Sequence, residues 1–319
     1  MKFLIVNLYL ILSISIFSQE LTQEFFHEES VPQGSPITFV ISPYEGHIEY
    51  TFSLINKKGR KVLQVPGFYY YFYEERISVI LGLGGIPVDL PPGIYTVKAE
   101  GIGVIHSYFF ERSIEVTPRD FKQVTLKANI KMDSIVNGEK DPDQDAQYRR
   151  LWDAISIFSP HILYEQSTLS QPVEGRHSSP FGFTRVTEFP SGKNSTSYHK
   201  GEDFATKIGT PVLSDGKGRV ILAENRIITG NTVVVEHLPG VKTIYYHMDS
   251  IDVKKGNIVN RGDKIGEVGT TGYSTGPHLH WEVRINTVPV DPMLFLERPI
   301  LDKTLILGMI GSTNKKRGG

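Results

Sequence analysis

The sequence predicts a mostly β protein in two β-rich halves joined by a helical linker, and three observations carry that expectation. In the first half, short runs alternate apolar and polar residues: Ile37, Phe39 and Ile41 share one face of a run, and Ile48, Tyr50, Phe52 and Leu54 share one face of the next, the period of a strand. Between Lys122 and Val173 the composition shifts, and Tyr148, Leu151, Trp152, Ile155 and Phe158 recur at helical spacing until Pro160 stops the pattern. From Gly175 the chain is β-rich again, with strand candidates at Arg219 to Ala223, Thr232 to His237, Thr243 to His247 and Lys264 to Val268 separated by glycines. The divisions expected are a signal peptide at 1–18, a β-sandwich at 19–121, a linker with an amphipathic helix at 122–172, a second β unit at 173–298 and a tail at 299–319.

The chain opens with Met1 and Lys2, an apolar run from Phe3 to Phe17 and a small residue, Ser18. That is the anatomy of a signal peptide, and the run is short against the roughly 20 apolar residues of a bilayer span. Cleavage near Ser18 is expected, with an uncleaved anchor as the alternative; either way the protein is exported, to periplasm, cell envelope or medium. With 34 basic and 35 acidic residues the net charge is -1, which gives no electrostatic footprint for nucleic acid. No cysteine is present, so disulfides, thiolate metal sites and cysteine nucleophiles are excluded, and any metal must sit on His, Asp or Glu.

In the first half, turn residues at 56–59, 82–85 and 91–93 separate strands, with further ones at Ile94 to Ala99 and Tyr108 to Val116. Short strands at this spacing predict an immunoglobulin-like β-sandwich. The aromatic cluster Phe68 to Tyr73 reads as cross-strand packing, and His27, His47 and His106 are isolated. In the linker, Asn137 to Asp145 reads as a loop. The helix after it is expected to pack between the two halves, with Trp152 in the core.

The chemistry gathers in the second half. From Leu279 the residues alternate, placing His278, His280, Glu282 and Arg284 on one side and Leu279, Trp281, Val283 and Ile285 on the other. A half-buried strand with this pattern presents two imidazoles to a common point. His199 and Asp203, separated by Gly201, can converge on one ion if the chain turns between them. His247 ends a strand whose Tyr245 is expected to share its face. Four histidines and one aspartate exceed what one zinc needs: a catalytic zinc takes three protein ligands, leaving two groups for proton transfer or oxyanion stabilisation.

The order of these segments resembles the M23 family of zinc metallopeptidases, of the lysostaphin and LytM type. SSPFGFTR, HKGEDFA, GTPVLSDGKGRV, GNTVVVEH, TIYYHMDS, the stretch ending in GPHLHWEV, and VDPMLF together cover about 120 residues, near Gly175 to Leu296. The resemblance implies an antiparallel β peptidase domain at 173–298 and one Zn²⁺ per chain on His199, Asp203 and His280. It assigns His247 and His278 as the catalytic histidines that are not ligands. It implies an exported endopeptidase acting on peptide cross-links of bacterial peptidoglycan, with no nucleic-acid partner and no stable membrane span after signal cleavage. The alternatives are a non-catalytic LytM-like regulator of cell-wall amidases and a peptidase acting on a non-wall protein.

Glu202, the FGFTR segment at 181–185 and Met248 depart from the family's usual pattern, and none is a ligand position. The polar stretch Val186 to Tyr198 reads as a loop bordering the groove. Arg261, Gly262 and Asp263 read as a turn, His237 as structural, and His161 and His177 lie outside any motif. The basic tail Lys315 to Arg317 reads as a solvated end.

Overall fold

We describe the protein from a computed structural model, which covers residues 23–317 apart from Glu45, His47, 104–106, Lys140 and 161–163, with side chains to residue 311. The expected signal segment, His47, His106, His161 and the basic tail's side chains lie outside the described residues.

The first half contributes β1 (Glu24–His27), β2 (Ser30–Pro32), β3 (Pro36–Ser42), β4 (Ile48–Ile55), β5 (Lys61–Pro66), β6 (Phe68–Phe72), β7 (Ile77–Gly85), β8 (Gly93–Gly103) and β9 (Ser107–Thr117). The linker region holds β10 (Gln123–Lys127), α1 (Ile130–Asn137) and α2 (Gln144–Ser156). The second half adds β11 (Arg176–Ser179), β12 (Thr184–Glu188), β13 (Asn194–Tyr198), β14 (Glu202–Ala205), β15 (Pro211–Leu213), β16 (Gly218–Arg226), β17 (Gly230–Leu238) and β18 (Val241–Ile251). It closes with β19 (Ile258–Val259), β20 (Lys264–Val268), β21 (His278–Ile285), β22 (Val288–Val290), α3 (Leu294–Glu297) and α4 (Lys303–Arg317).

The N-terminal strands form a four-stranded sheet in the order β1-β3-β7-β6 and a five-stranded sheet in the order β2-β9-β8-β4-β5. Their alternating apolar faces meet in one cluster, where Ile37, Phe39 and Ile41 of β3 and Phe52 and Leu54 of β4 are fully buried. The rings of Phe39 and Phe52 stack across it with centroids 5.2 Å apart. The opposite face of the first sheet carries Val40, Phe68, Phe72, Val79, Leu81 and Leu83 into the core of the C-terminal half, so the apolar packing is continuous between the halves. Phe68 and Phe72 are core, as the packing reading requires, while Tyr69 and Tyr73 of the same aromatic run are exposed. Ile300, Leu301 and Ile306, from the stretch read as a tail, are buried in that core.

The C-terminal half is built on a ten-stranded sheet whose main order is β11-β14-β21-β18-β17-β16-β19, antiparallel at every pairing. β21 lies in its middle and is buried on both faces, not half-buried as its alternation suggests; even Glu282 and Arg284 are almost inaccessible. What covers its polar face is partly α2. Ala154 and Ile155 of that helix pack on Ile221, Leu222, Val234, Ile244 and Tyr246. The helix therefore lies on the C-terminal sheet rather than between the halves, and its register turns Tyr148 and Trp152 outward; Trp152 is 45% exposed and is not a core residue.

Two further expectations change. The stretch 186–198 is a hairpin, β12 and β13, joined to β10 in a three-stranded sheet, where cross-strand pairing satisfies backbone groups that a loop would leave to water. The residues before the expected loop at 137–145 form α1, capped by the Asn129 side chain accepting from Met132 N at 2.8 Å. Arg261 to Asp263 is the expected turn, with Gly262 at φ +86° and Asn260 N donating to Asp263 Oδ2 at 2.7 Å.

Candidate metal centre

The site is a row across three strands. Asp203 of β14 stands opposite His280 of β21, and His280 stands opposite Tyr246 of β18. His199 comes from the turn just before β14, and Gly201 permits that turn: a Cβ there would lie 2.3 Å from Trp281 O, so only glycine lets the segment lie against β21.

His199 Nε2, Asp203 Oδ1 and His280 Nδ1 converge. The histidine nitrogens are 3.0 Å apart, and each is within hydrogen-bond distance of Asp203 Oδ1, at 3.1 Å and 2.8 Å. Among the described residues these three form the group with ligand atoms mutually within 4.8 Å. The outer nitrogen of each ring is committed elsewhere. His199 Nδ1 lies 2.8 Å from Pro180 O, and a carbonyl only accepts, so that nitrogen carries the proton. His280 Nε2 donates to Glu282 Oε1 at 3.1 Å, and Glu282 is in turn held by Arg284 Nε at 2.6 Å. With both outer nitrogens committed, the two inner nitrogens and Asp203 Oδ1 face one point, an arrangement that a cation satisfies. The His-Asp-His set fits a catalytic zinc.

Electrostatics says the same. Burial works against charge on Asp203, yet hydrogen bonds from His199 and His280 hold its carboxyl well below the usual range. Burial also opposes charge on His280, but the carboxylates of Asp203 and Glu282 outweigh it and raise that ring to about 9; the pocket favours a positive charge at its centre. Asp203 Oδ2 is fixed by Arg185 Nη2 at 2.5 Å, and the same nitrogen reaches Ser179 Oγ at 2.8 Å. This leaves Oδ1 turned to the histidines. Sequence reasoning recorded Arg185 only as part of a motif; its pairing joins β12 to β14, and no local spacing announces it.

His247 and His278 complete the group. Their ring centroids are 4.9 Å apart, and His247 is 6.3 Å from His280. His278 Nε2 lies 3.7 Å from Asp203 Oδ1. Each ring's Nδ1 donates to a carbonyl at 2.8 Å, Thr271 O for His247 and Gly276 O for His278, which leaves Nε2 as a free acceptor on both. Burial lowers both rings, His247 to about 3, so they stand neutral. His247 does not share the face of Tyr245. Tyr245 points to the opposite side, its hydroxyl accepting from Asp215 N at 3.1 Å. A register shift opposite Asn231 to Val233 and a left-handed φ of 60° at His247 turn the imidazole onto the side of Tyr246. A β-bulge re-aims a side chain in this way, and the strained backbone marks the position as one the surroundings enforce.

The groove above the row has a volume of about 480 Å³ and is lined by Met132, Arg176, Arg185, Tyr273, His247 and His278, among others. α1 forms part of its wall: Asp133 accepts from Ser191 N at 2.6 Å and Ser191 Oγ at 2.8 Å, and Met132 packs with Phe189 and Tyr273. His177, outside any motif in the sequence, hydrogen-bonds Glu202. Glu202 also accepts from Phe181 N at 3.1 Å, so this departure from the family pattern is a buried anchor for the segment before the groove.

Fold and site define a β-sheet metal centre of the hydrolytic type. Residues 197–292 match peptidase family M23, and the chain carries an M23-family zinc metallopeptidase domain. Over 95 residues it is 53% identical to the peptidoglycan DD-endopeptidase ShyB of Vibrio cholerae, a match covering 30% of this chain and 22% of that protein. Over 118 residues it is 41% identical to the DD-carboxypeptidase/endopeptidase Mpg of Neisseria meningitidis, covering 37% and 26%. The chain thus spans about a quarter of the length of these relatives. A crystal structure from Pseudomonas aeruginosa assigned to peptidase M23 is similar at 29% identity and a TM-score of 0.59 over 83% of this chain and 93% of that one, so the likeness extends into the N-terminal sheets.

Proposed function

We propose that this protein is an exported zinc metalloendopeptidase that hydrolyses peptide cross-links of bacterial peptidoglycan. The observation that carries the reading is the convergence of His199, Asp203 and His280 beside two further neutral histidines, together with likeness to peptidoglycan endopeptidases over the segment that builds them.

In this reading His199, Asp203 and His280 are the ligands, and zinc, when bound, supplies a Lewis acid with a position open to substrate. His278 and His247 are the catalytic histidines. His278, whose Nε2 faces the cluster, accepts the proton of the attacking water and returns it to the departing amine. His247, oriented by Thr271 O, offers its Nε2 lone pair to orient that water. Arg185 and Glu282 are positioning residues acting through Asp203 and His280. The peptidase unit is residues 173–298; residues 19–121, read as an immunoglobulin-like sandwich, act as a spacer or docking module. Among the described residues no helix is long and apolar enough to cross a membrane; export rests on the signal-like residues 1–18.

The test is mass spectrometry of products released from purified, cross-linked peptidoglycan by the zinc-loaded protein, with and without chelator. Shortened cross-bridge peptides appearing only without chelator are expected. Absence of release from protein shown to contain zinc would overturn the reading.

A further inference from the structure

Beside the metal groove lies a second cavity of about 370 Å³. Ile228, Thr229 and Tyr246 line both spaces, so the two are neighbours across a shared wall. One wall is α2, whose Tyr148 and Trp152 rings lie within 13° of parallel with centroids 6.3 Å apart. They form an aromatic shelf, 61% and 45% exposed, on a helix whose other face is sunk in the sheet. Lys200, the residue after the ligand His199, lies at the edge of the cavity, exposed and without an ion pair among the described residues. Of the other charges there, Arg284 holds Glu282, Arg226 pairs with Glu224, and Asp145 adds a carboxylate to the lining.

We propose that this shelf is a binding subsite for an amino-sugar ring of the glycan strand, with Lys200 taking a carboxylate of the peptide that the sugar carries. The inference rests on the peptidoglycan reading above. A cross-link held at the metal is joined to its glycan through a peptide of a few residues, each extending about 3.3–3.6 Å. The sugar must therefore leave the metal groove and meet a second surface. A pyranose with equatorial substituents presents axial C–H bonds on its faces, and the electron-rich face of an aromatic ring attracts them, as it does other positive edges. Partly exposed aromatic rings offer such a face. They offer a peptide nothing to pair its backbone with, since α2 and not a sheet edge forms the wall.

The chain has two tryptophans, and Trp281 is fully buried, so ligand-sensitive emission reports Trp152. The probe is an uncross-linked disaccharide-peptide monomer titrated into the full-length zinc-loaded protein, against the same peptide without sugar. The sugar-bearing monomer should shift and quench Trp152 emission and bind about fivefold tighter than the bare peptide, the scale of one aromatic contact. By calorimetry, Tyr148→Ala and Trp152→Ala should remove that preference, Trp152→Phe should restore it, and Lys200→Ala should weaken both ligands. Equal affinity for the two ligands, or Trp152 emission that does not respond to the sugar, overturns the proposal. Cross-links cleaved with no such preference overturn the subsite and leave the peptidase reading standing. A Trp152 response in a protein that cleaves nothing supports the subsite and sinks the peptidase reading instead.

Discussion

Two buried histidine–aspartate clusters lie back to back on the C-terminal sheet, and they differ in one respect that separates chemistry from architecture. On the face of His280, the ring nitrogens of His199 and His280 and Oδ1 of Asp203 converge on one point. On the face of Trp281, every group is matched. Asp215 Oδ2 accepts from Trp281 Nε1 at 2.7 Å and Oδ1 from Thr243 Oγ1 at 3.2 Å, while His237 Nε2 lies 3.3 Å from the same Oδ1. His237 Nδ1 donates to Lys217 O at 2.8 Å. A closed hydrogen-bond network fixes a fold, whereas two ring nitrogens and a carboxylate oxygen converging on one point are a donor set suited to a cation.

The sharpest way to break the comparison is to remove a member of the first cluster. His280→Ala, or chelation of the wild type, should lower cross-link hydrolysis by about three orders of magnitude or more, some 4 kcal/mol of transition-state stabilisation. The far-ultraviolet circular dichroism should stay that of the folded protein, because the sheet's core lies on the other face. His247→Ala should lose comparable activity while retaining zinc. A His247→Ala protein that still hydrolyses would remove that residue from the mechanism.

The mirror experiment is Asp215→Ala. It strands buried His237, Trp281 Nε1 and Thr243, and breaking a buried pair on one side costs about 3–5 kcal/mol. Denaturant unfolding should show that loss, and zinc per folded molecule should not change. Loss of zinc with unchanged stability would mean that the two faces had been assigned the wrong way round.

The comparison also shows what was legible beforehand. Alternation along β21 placed His278 and His280 on one side and Trp281 on the other, because a central strand without a bulge keeps period 2. The convergence of His199 and Asp203 was readable because the glycine between them permits the turn. His247 was assigned to the wrong face. The bulge that turns it is set by pairing with β17, a partner residues away in sequence, and no period within β18 contains that information. The same holds for α2: helical spacing found the element, but both Ile155 and Trp152 fit an apolar stripe, and only the sheet it lands on decides which is buried. The N-terminal strands were readable wherever their apolar alternation is strict, as at Phe39 and Phe52. The sharing of their outer face with the C-terminal core was not, since a strand buried on both faces loses the alternation.

Arg185 provides a smaller effect within the first cluster. It touches neither proposed histidine ligand and acts by fixing Asp203 Oδ2, so Arg185→Ala should weaken zinc binding about 10–100-fold, the usual scale for a group that orients a ligand. Arg185→Lys should restore part of it, since one nitrogen makes both contacts at 2.5 Å and 2.8 Å. Competition against a chromophoric chelator measures this directly. Unchanged zinc affinity in Arg185→Ala, with activity reduced, would move the residue from holding the ligand to contacting substrate.

The last and smallest effect belongs to the second cluster, and its sign is fixed by the direction of one shift. Burial alone would lower His237, but Asp215 and the Lys217 carbonyl overcome it, and the ring titrates above its ordinary value of 6.5. A group raised in the folded state contributes stability that is fully present below the unfolded value and is lost as pH rises through the folded one. His237→Gln keeps a hydrogen-bonding side chain but no titratable charge. The melting-temperature gap between wild type and this variant should therefore be widest in mildly acidic buffer and narrow as the pH climbs past 6.5. A gap that widens with pH would show that His237 is held neutral, and that Thr243 rather than the charge of Asp215 is its working partner on this face of the sheet.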